Sequence, residues 1–443
     1  GANQLSGNDG ADTIYGGAGS DTLGGWYFDP GTTAASFSDS SLKNNSTDSS
    51  RAGNDKLFGE AGDDLLVGTS GDNTLDGGTG ADTIYTGSGS DTVILHAGGG
   101  GSTLAAADTI ADFTDGTDVF GLDGGLQYAD LNIAQGSGNN VNDTIISTTS
   151  SEYLAVLKGV SVSNINYLDF VSTVTNDQTL TGTSGNDVLI GASGADTATT
   201  NSGTDVILTH GGDDTITVDG TGNKTIDGGS GTDSLTISVS GNTSLGSYTM
   251  TKSGDYLILT DSNNDVIQFK NTQSLTVGNY AYTEDTSNDT FWNAAEKVLY
   301  MYDGGGWGGT SSLSGFSASA DFSVVGSDGT DYMNLNIDRS SDLTGIMTLS
   351  MGGGNDSLGA ARFKNGDSVD MGAGDDSVHL YVTNSSGTPS YSSLSMAKLD
   401  GGTGTDTLGF GNMGSQGSTE LTLTTGGATN FENIDGSSGD DII

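Results

Sequence analysis

The chain has no cysteine, only 2 prolines and only 12 Lys and Arg residues among its 443 positions. Without cysteine there can be no disulfide or thiolate metal site, which suits a protein exported unfolded or living outside a bacterial cell. Against those few cations stand 57 Asp and Glu residues, and the resulting net charge of −45 excludes nucleic acid and anionic membranes as partners. No apolar run is long enough to cross a bilayer, so we predict a protein that is not membrane-spanning.

The most regular stretch, residues 53–95, repeats every nine residues. An acid or amide recurs at each ninth position, with a glycine two positions before it and an aliphatic residue two positions after it. The recurring positions are Asp55, Asp64, Asn73, Asp82 and Asp91. The alternation after each acid predicts a short strand with one buried face, and the glycines predict a tight corner. Nine residues then make half a coil of a solenoid, and eighteen make a full coil.

Residues eighteen apart should stack on one edge, so Asp64 should lie over Asp82 and Asn73 over Asp91. Stacked carboxylates repel one another unless a cation lies between them. Calcium takes about six to eight oxygen ligands, and it fits a corner that offers carboxylates and glycine carbonyls. The alternative is a solenoid with ordinary Gly/Asp turns and no metal, but such a fold has no reason to place acids in register. We therefore predict multiple calcium ions as cofactor.

The same pattern recurs before and after this stretch, with less regularity towards the end of the chain. Lys224 stands near a one-residue slip, where an acid is expected, so calcium is less expected there. Repeat-like units beyond residue 350 look isolated by their spacing and do not predict a continuous array. The further predicted metal ligands are Asp12, Asp21, Asp187, Asp196, Asp205, Asp214, Asp233, Asp356, Asp376, Asp406 and Asp441.

Changes of pattern along the chain predict six segments. A solenoid end exposes unpaired strand edges, so a differently patterned cap should cover it. One amphipathic stretch, residues 287–302, predicts a helix. The segments are a β-roll at 1–107 with a loop insertion at 26–52, a β-cap at 108–177, a second β-roll at 178–238, an antiparallel β module at 239–284, a helix and Gly-rich linker at 285–310, and a β-rich module with degenerate repeats at 311–443.

The nonapeptides, with the segment DTIADF that begins at Asp108, resemble the RTX family of secreted bacterial proteins. The resemblance covers about half of the chain and does not reach residues 241–350. It implies type I secretion and an extracellular or cell-surface location. Together with the usual crossover rule for parallel strands, it predicts an all-β fold: right-handed parallel β-roll (RTX) segments with β-sandwich-like or antiparallel caps and one short helix.

No catalytic motif accompanies the repeats. The sequence contains neither H-E-x-x-H nor G-x-S-x-G, its histidines His96, His210 and His379 are far apart, and its paired acids are explained as calcium ligands. We therefore predict that the chain is not an enzyme.

Three functions remain open. The favoured one is a calcium-dependent, self-assembling coat, a surface layer or biofilm matrix, resembling RTX surface-layer proteins of Gram-negative bacteria. Its partners would be copies of itself, with cell-surface polysaccharide as a further candidate. The alternatives are a segment of an RTX adhesin, binding glycans through loops such as 26–28 or Trp307, and the non-catalytic module of a secreted enzyme.

Overall fold

The chain is almost entirely β-structure. The computed structural model describes residues 1–7, 11–24, 53–239, 243–285, 290–302, 306–307, 320–334, 345–361, 363–380, 396–410 and 428–436. Within these ranges it has 39 strands and no α-helix, and none of its helices is long and apolar enough to cross a membrane. Its short 3-10 turns are Leu104–Ala106, Tyr128–Asp130, Gly138–Asn140, Val162–Asn164, Tyr167–Asp169 and Leu245–Ser247.

The chain divides into two compact units, and the first comprises Gly1–Gly182, Asp187–Ala198 and Ile207–Gly212. Its roll and cap form two sheets, with strand orders β1-β3-β5-β7-β9-β13-β12-β11 and β14-β10-β8-β6-β4-β2. The strands are β1 Gln4–Ser6, β2 Thr13–Ala18, β3 Thr22–Gly24, β4 Lys56–Ala61, β5 Leu65–Val67, β6 Thr74–Asp76, β7 Thr83–Tyr85, β8 Thr92–His96, β9 Asp108–Ile110, β10 Val119–Asp123, β11 Leu131–Gln135, β12 Thr144–Thr148, β13 Tyr153–Leu157 and β14 Phe170–Ser172.

Successive strands of the roll alternate between the two sheets, and each pairs in parallel with the strand one coil later. Leu66 lies opposite Ile84, and Leu75 lies opposite Val93. All four side chains are fully buried between the sheets, because the alternating pattern turns every aliphatic residue inwards. The predicted parallel β-roll with an eighteen-residue coil is confirmed.

An antiparallel cap follows the roll, as the change of pattern from Asp108 predicts. β13 pairs in parallel with β9, the last roll strand of its sheet, and then runs antiparallel to β12, which runs antiparallel to β11. In the other sheet β10 and β14 continue the parallel order. Phe113 stacks on Phe120 with ring centroids 4.6 Å apart, so aromatic rings fill the end of the core where the nonapeptides stop.

The second unit comprises Thr183–Asn186, Thr199–Val206 and Asp213–Ile443. Its strands from β19 onwards follow the orders β19-β21-β25-β26-β27-β28-β30-β32-β34-β36-β38, β20-β24-β23-β22 and β29-β31-β33-β35-β37-β39. The remaining strands of the chain are β15 Thr179–Thr181, β16 Val188–Ile190, β17 Thr197–Thr199, β18 Asp205–Leu208, β19 Thr215–Val218, β20 Lys224–Asp227, β21 Ser234–Ile237, β22 Thr249–Ser253, β23 Tyr256–Thr260, β24 Val266–Lys270, β25 Ser274–Val277, β26 Tyr280–Asp285, β27 Thr290–Asn293, β28 Val298–Met301, β29 Gly306–Trp307, β30 Phe322–Val325, β31 Tyr332–Asn334, β32 Met347–Ser350, β33 Ser357–Ala361, β34 Ser368–Asp370, β35 Ser377–Leu380, β36 Lys398–Asp400, β37 Thr407–Phe410, β38 Ala428–Thr429 and β39 Asn433–Asp435.

The predicted helix at 287–302 is wrong. β27 and β28 form an antiparallel hairpin in which Phe291 lies opposite Tyr300 and Trp292 opposite Leu299. All four of these side chains are buried. Two short strands buried on both faces give the same run of apolar residues as a helix, so spacing alone does not separate the two structures.

The expectation that the last repeat-like units are isolated is also wrong. The even-numbered strands from β30 to β38 pair in parallel in one sheet, and the odd-numbered strands from β29 to β39 pair in parallel in another. The described residues within 320–436 therefore form a further β-roll. Val378 lies opposite Leu408, and Leu349 lies opposite Val369. The coils of this roll differ in length, which hides the array from a search at a fixed period.

Candidate metal-binding ladders

The acids of the first roll form hydrogen-bonded ladders along its edges. One carboxylate oxygen of each acid accepts the backbone N–H of the corresponding residue one coil earlier. Asp64 N–H donates to Asp82 Oδ1 at 2.7 Å, and Asn73 N–H donates to Asp91 Oδ1 at 2.7 Å, each across 18 residues. We call these buried series the inner ladders; in the first roll they are Asp21, Asp64, Asp82 and Asp108 on one edge, and Asp12, Asp55, Asn73, Asp91 and Asp118 on the other.

In several acids of the inner ladders of the first roll, the second carboxylate oxygen is buried and has no hydrogen-bond partner. This holds for Oδ2 of Asp21, Asp64, Asp82 and Asp91. A buried charge without a partner is costly, so burial raises the pKa of Asp82 and of Asp91 to about 7 in the absence of an ion. Burial, with the neighbouring charge of Asp82, raises the pKa of Asp108 to about 8. The inner ladders thus present buried carboxylate oxygens whose charge a cation would stabilise.

Each corner brings such an oxygen to a backbone carbonyl of the next coil. A Cβ added at Gly59 would lie 2.5 Å from Asp64 Oδ2 and 2.5 Å from the carbonyl oxygen of Gly77. A Cβ added at Gly77 would lie 2.2 Å from Asp82 Oδ2. Only glycine leaves this space open, and the two kinds of oxygen that meet there are the ligands calcium takes in proteins. The corners therefore fit calcium.

The roll at 320–436 contains the same ladder. Asp331 N–H donates to Asp356 Oδ1 at 2.8 Å, Asp356 N–H to Asp376 Oδ1 at 2.7 Å, and Asp376 N–H to Asp406 Oδ1 at 2.8 Å. Asp406 N–H donates to Glu432 Oε2 at 2.9 Å, which ends the series. Burial raises the pKa of Asp356 to about 8 and that of Asp376 to about 6. The predicted ligands of this region thus lie on one edge.

Parts of the ladders escaped the sequence prediction. Asp331 has the full signal, with Gly329 before it and Met333 after it. Asp108 and Asp118 continue the inner ladders into the cap; Gly116 stands two positions before Asp118, whereas Ala106 takes the place of the glycine before Asp108. For Asp108 only the structure reveals the role, because strand pairing brings it into register, whereas Asp118 carries the motif and lies 27 residues after Asp91.

In the second roll two hydrogen bonds of the same type join successive coils. Gln178 N–H donates to Asp196 Oδ1 at 2.6 Å, and Asp214 N–H donates to Asp233 Oδ1 at 2.9 Å. Asp187 is half-buried and Asp205 is fully buried. Asp441 and loop 26–28 lie outside the described residues.

No three carboxylate or histidine side chains converge on one point in the part of the chain that the structure describes. A corner offers instead a carboxylate and backbone carbonyls. Calcium in these corners would thus be held largely by the main chain, which explains why the sequence requires glycine as strictly as aspartate.

A second line of polar side chains runs beside the inner ladders on the surface. The residue before each ladder acid accepts the N–H of its counterpart one coil later. Asp63 Oδ1 accepts from Ala81 N–H at 2.9 Å, and Asp375 Oδ1 accepts from Thr405 N–H at 2.8 Å. We call this exposed series the outer ladder; its other acceptors include Asn54, Asp72, Asp177, Asn186, Asp213 and Asn355.

A family model for the RTX calcium-binding nonapeptide repeat (4 copies) matches residues 1–26, 50–68, 67–102 and 180–216. The chain contains RTX calcium-binding repeats. Calcium is therefore the cofactor of these repeats, in multiple copies. RTX repeat proteins are typically secreted and extracellular.

Similar solved structures include two proteins with low overall likeness. The extracellular lipase LipA from Serratia marcescens is 22% identical over 55% of this chain and 33% of its own, with a TM-score of 0.20. The AlgE6R3 subunit of the Azotobacter vinelandii mannuronan C5-epimerase is 21% identical over 37% of this chain and 78% of its own, with a TM-score of 0.17. The chain spans about a third of the lipase, and at these TM-scores the likeness carries no argument. No curated protein matches the chain.

Proposed function

We propose that the protein is a calcium-dependent, self-assembling extracellular structural protein that forms a surface layer or biofilm matrix. The observation that carries the proposal is the outer ladder, which exposes side-chain oxygens along the edges of the rolls and in which Asp72 follows Asn54, and Asp375 follows Asn355, one coil later. Paired strands are about 4.8 Å apart, so each of these two pairs presents two oxygen ligands at a short spacing. Two bodies of this strongly acidic chain repel each other, and divalent ions that bridge the two lines would reverse that repulsion.

Calcium would have one role at the inner ladders and another at the outer ladder. The inner ladders bury their carboxylates, so ions there stabilise the fold of a single chain. Acids of the outer ladder such as Asp63 and Asp375 are exposed and are available to a second copy of the chain. The role proposed here is structural and not catalytic.

The test is light scattering and electron microscopy across a calcium titration, with sodium chloride as the control. Sheets or filaments should appear near millimolar calcium, and sodium should substitute poorly because it screens charge without bridging carboxylates. A chain that folds with calcium yet stays monomeric at high concentration would contradict the proposal and favour an adhesin segment or an accessory module.

A triple variant separates assembly from folding. Asp63→Asn, Asp72→Asn and Asp375→Asn remove three charges but keep an amide oxygen as acceptor, as Asn54 does in the native outer ladder. Calcium-induced folding, read by circular dichroism, should be unchanged, while the calcium needed for assembly should rise several-fold.

Asp255→Asn is the matched control, since it removes an exposed charge from a hairpin turn outside both ladders. Assembly of the triple variant at the wild-type calcium concentration would show that the outer ladder is not the contact between copies.

A further inference from the structure

Lys224 occupies a position that aspartate occupies in the other corners. Gly222, Lys224 and Ile226 have the same spacing as Gly80, Asp82 and Ile84. Lys224 and Ile226 are fully buried, and the residue between them is half-buried, as in the corner of Asp82. The nonapeptide therefore continues through this place with its acid replaced by a base.

The backbone of this corner also comes close to the preceding coil. Gly222 has a φ of 72°, and a Cβ there would lie 2.2 Å from the carbonyl oxygen of Gly203. A Cβ at Gly80 would lie 1.9 Å from the carbonyl oxygen of Gly62 in the same way. The coil therefore comes about as close to its predecessor as in the first roll, although the φ of 72° at Gly222 differs from the 144° at Gly80.

The ammonium of Lys224 is surrounded by oxygen atoms. Its Nζ lies 3.1 Å from Asp205 Oδ2, 2.9 Å from the carbonyl oxygen of Gly203 and 2.5 Å from the carbonyl oxygen of Thr221. Asp219 Oδ1 lies 3.8 Å away. The side chains of Lys224 and Asp205 are both 0% exposed. A cation thus meets a ladder carboxylate and corner carbonyls inside the roll.

We propose that the Lys224 ammonium takes the place of a calcium ion in this corner. Its partners include the same two kinds of oxygen, carboxylate and glycine carbonyl, that meet at the corner of Asp64. The ammonium carries its charge on the chain, so this corner is neutralised at any calcium concentration. It also fills the space, so the corner takes no calcium.

Asn73 is an independent parallel in the first roll. Its Nδ2 donates to the carbonyl oxygen of Gly71 at 3.0 Å and to Asp91 Oδ1 at 2.9 Å. A side-chain N–H can therefore satisfy the same pair of oxygens. Lys224 adds the positive charge that the amide lacks, which makes it a fuller substitute for the ion.

If so, part of the second roll, at residues 178–238, should stay folded without calcium. Lys224 begins β20, which pairs in parallel with β24, and β24 continues into the β22–β23 hairpin. The strands next to the ammonium should keep their pairing in chelator, while the corners of the first roll lose theirs.

The first test counts ions. Lys224→Asp restores the repeat, so the variant should bind about one more calcium ion per chain than the wild type, measured by equilibrium dialysis and atomic absorption. Equal counts in a folded variant would overturn the proposal. The count does not depend on association between copies, so its failure is distinct from failure of the proposed assembly.

The second test needs no ion. Lys224→Met keeps the length of the side chain and leaves the Asp205 carboxylate buried without its cation. In chelator it should lower hydrogen-exchange protection of β18 and β20 strongly. Lys158→Met is the control, because Lys158 pairs with Asp143 in the cap and is 41% exposed.

A measurement on the wild-type chain tests the role of Lys224 even if a variant does not fold. Hydrogen exchange read by mass spectrometry in chelator should show β18 and β20 more protected than β5 and β7 of the first roll. Equal protection of the two pairs of strands would overturn the proposal.

Discussion

The regular roll at 53–95 and the irregular roll at 320–436 reach the same ladder by different routes. In the first, successive ladder acids are 18 residues apart. In the roll at 320–436 the intervals are 25, 20 and 30 residues, yet the ladder hydrogen bonds remain between 2.7 and 2.8 Å. The unit common to both rolls is therefore the corner with its short strand. The residues that connect one corner to the next vary in number.

The two cores differ accordingly. Leu57, Leu66, Leu75 and Ile84 fill the first roll with side chains of nearly equal size. The core cluster of the roll at 320–436 contains six methionines among its eighteen buried residues, and their flexible side chains fit irregular gaps. The methionines of this core are Met301, Met333, Met347, Met351, Met371 and Met396. The roll whose coils differ in length thus has the more adaptable core, while both rolls carry the same ladder of acids along an edge.

Removal of calcium should have the largest effect, and it should affect both rolls. Ions that bind only the folded chain stabilise it, and without them buried carboxylates face one another in a chain of net charge −45. We expect circular dichroism in chelator to lose most of the β signal and to regain it on adding calcium. Hydrogen-exchange protection that persists at 320–436 in chelator would break the comparison between the rolls.

Loss of a single inner-ladder acid should be equally damaging in either roll. Asp82→Ala and Asp376→Ala each remove an ion ligand and also leave a buried N–H, of Asp64 or Asp356, without an acceptor. The unsatisfied N–H alone should cost about 1–3 kcal/mol of unfolding free energy in urea. A difference between the variants larger than this would show that coil length matters to the ladder.

Blocking the glycine corner should weaken calcium binding more than it weakens the fold. Gly77→Ala places a methyl 2.2 Å from Asp82 Oδ2, and Gly326→Ala places one 2.7 Å from Asp331 Oδ2. Each should cost about 1–3 kcal/mol through overpacking and lower the calcium affinity of its own roll.

Gly185→Ala is the control, since its methyl would come no closer than 3.4 Å to Thr183 Oγ1. Calorimetric titration reads the affinities, and wild-type values for both corner variants would refute the placement of the ion.

A change of pH should have the smallest effect on the stability of the ion-free fold, and this fold should be more stable at acid pH. Burial raises the pKa of Asp82 to about 7 and that of Asp356 to about 8, above the value of an unfolded chain. The ion-free folded state therefore binds more protons than the unfolded state between about pH 4 and 8, so its stability should fall as pH rises through that window. Calcium needs the ionised carboxylates, so its affinity should rise over the same window. A β signal in circular dichroism in chelator that does not change with pH over this window would contradict this.

The sequence was enough to predict the first roll because its period is constant. Leu66 and Ile84 are in register as their spacing requires, and Asp64 and Asp82 follow. The cap was recognisable from the change of pattern at Asp108. These features are set by local chemistry that repeats without interruption.

The rest depended on tertiary pairing. The hairpin of Phe291 and Tyr300 reads as a helix because both of its strands are buried. The roll at 320–436 has no fixed period, so Asp331 was missed although its corner matches the motif. Lys224 looked like a fault in the repeat, and only its contacts with Asp205 reveal a cation in the ladder.

Anomalous scattering from crystals grown in millimolar calcium tests most directly whether both rolls hold calcium through one kind of corner. The account predicts calcium peaks at about 2.3–2.6 Å from Oδ2 of Asp82 and of Asp376, and no peak at the corner of Lys224. Ordered protein without peaks at the first two corners would contradict it.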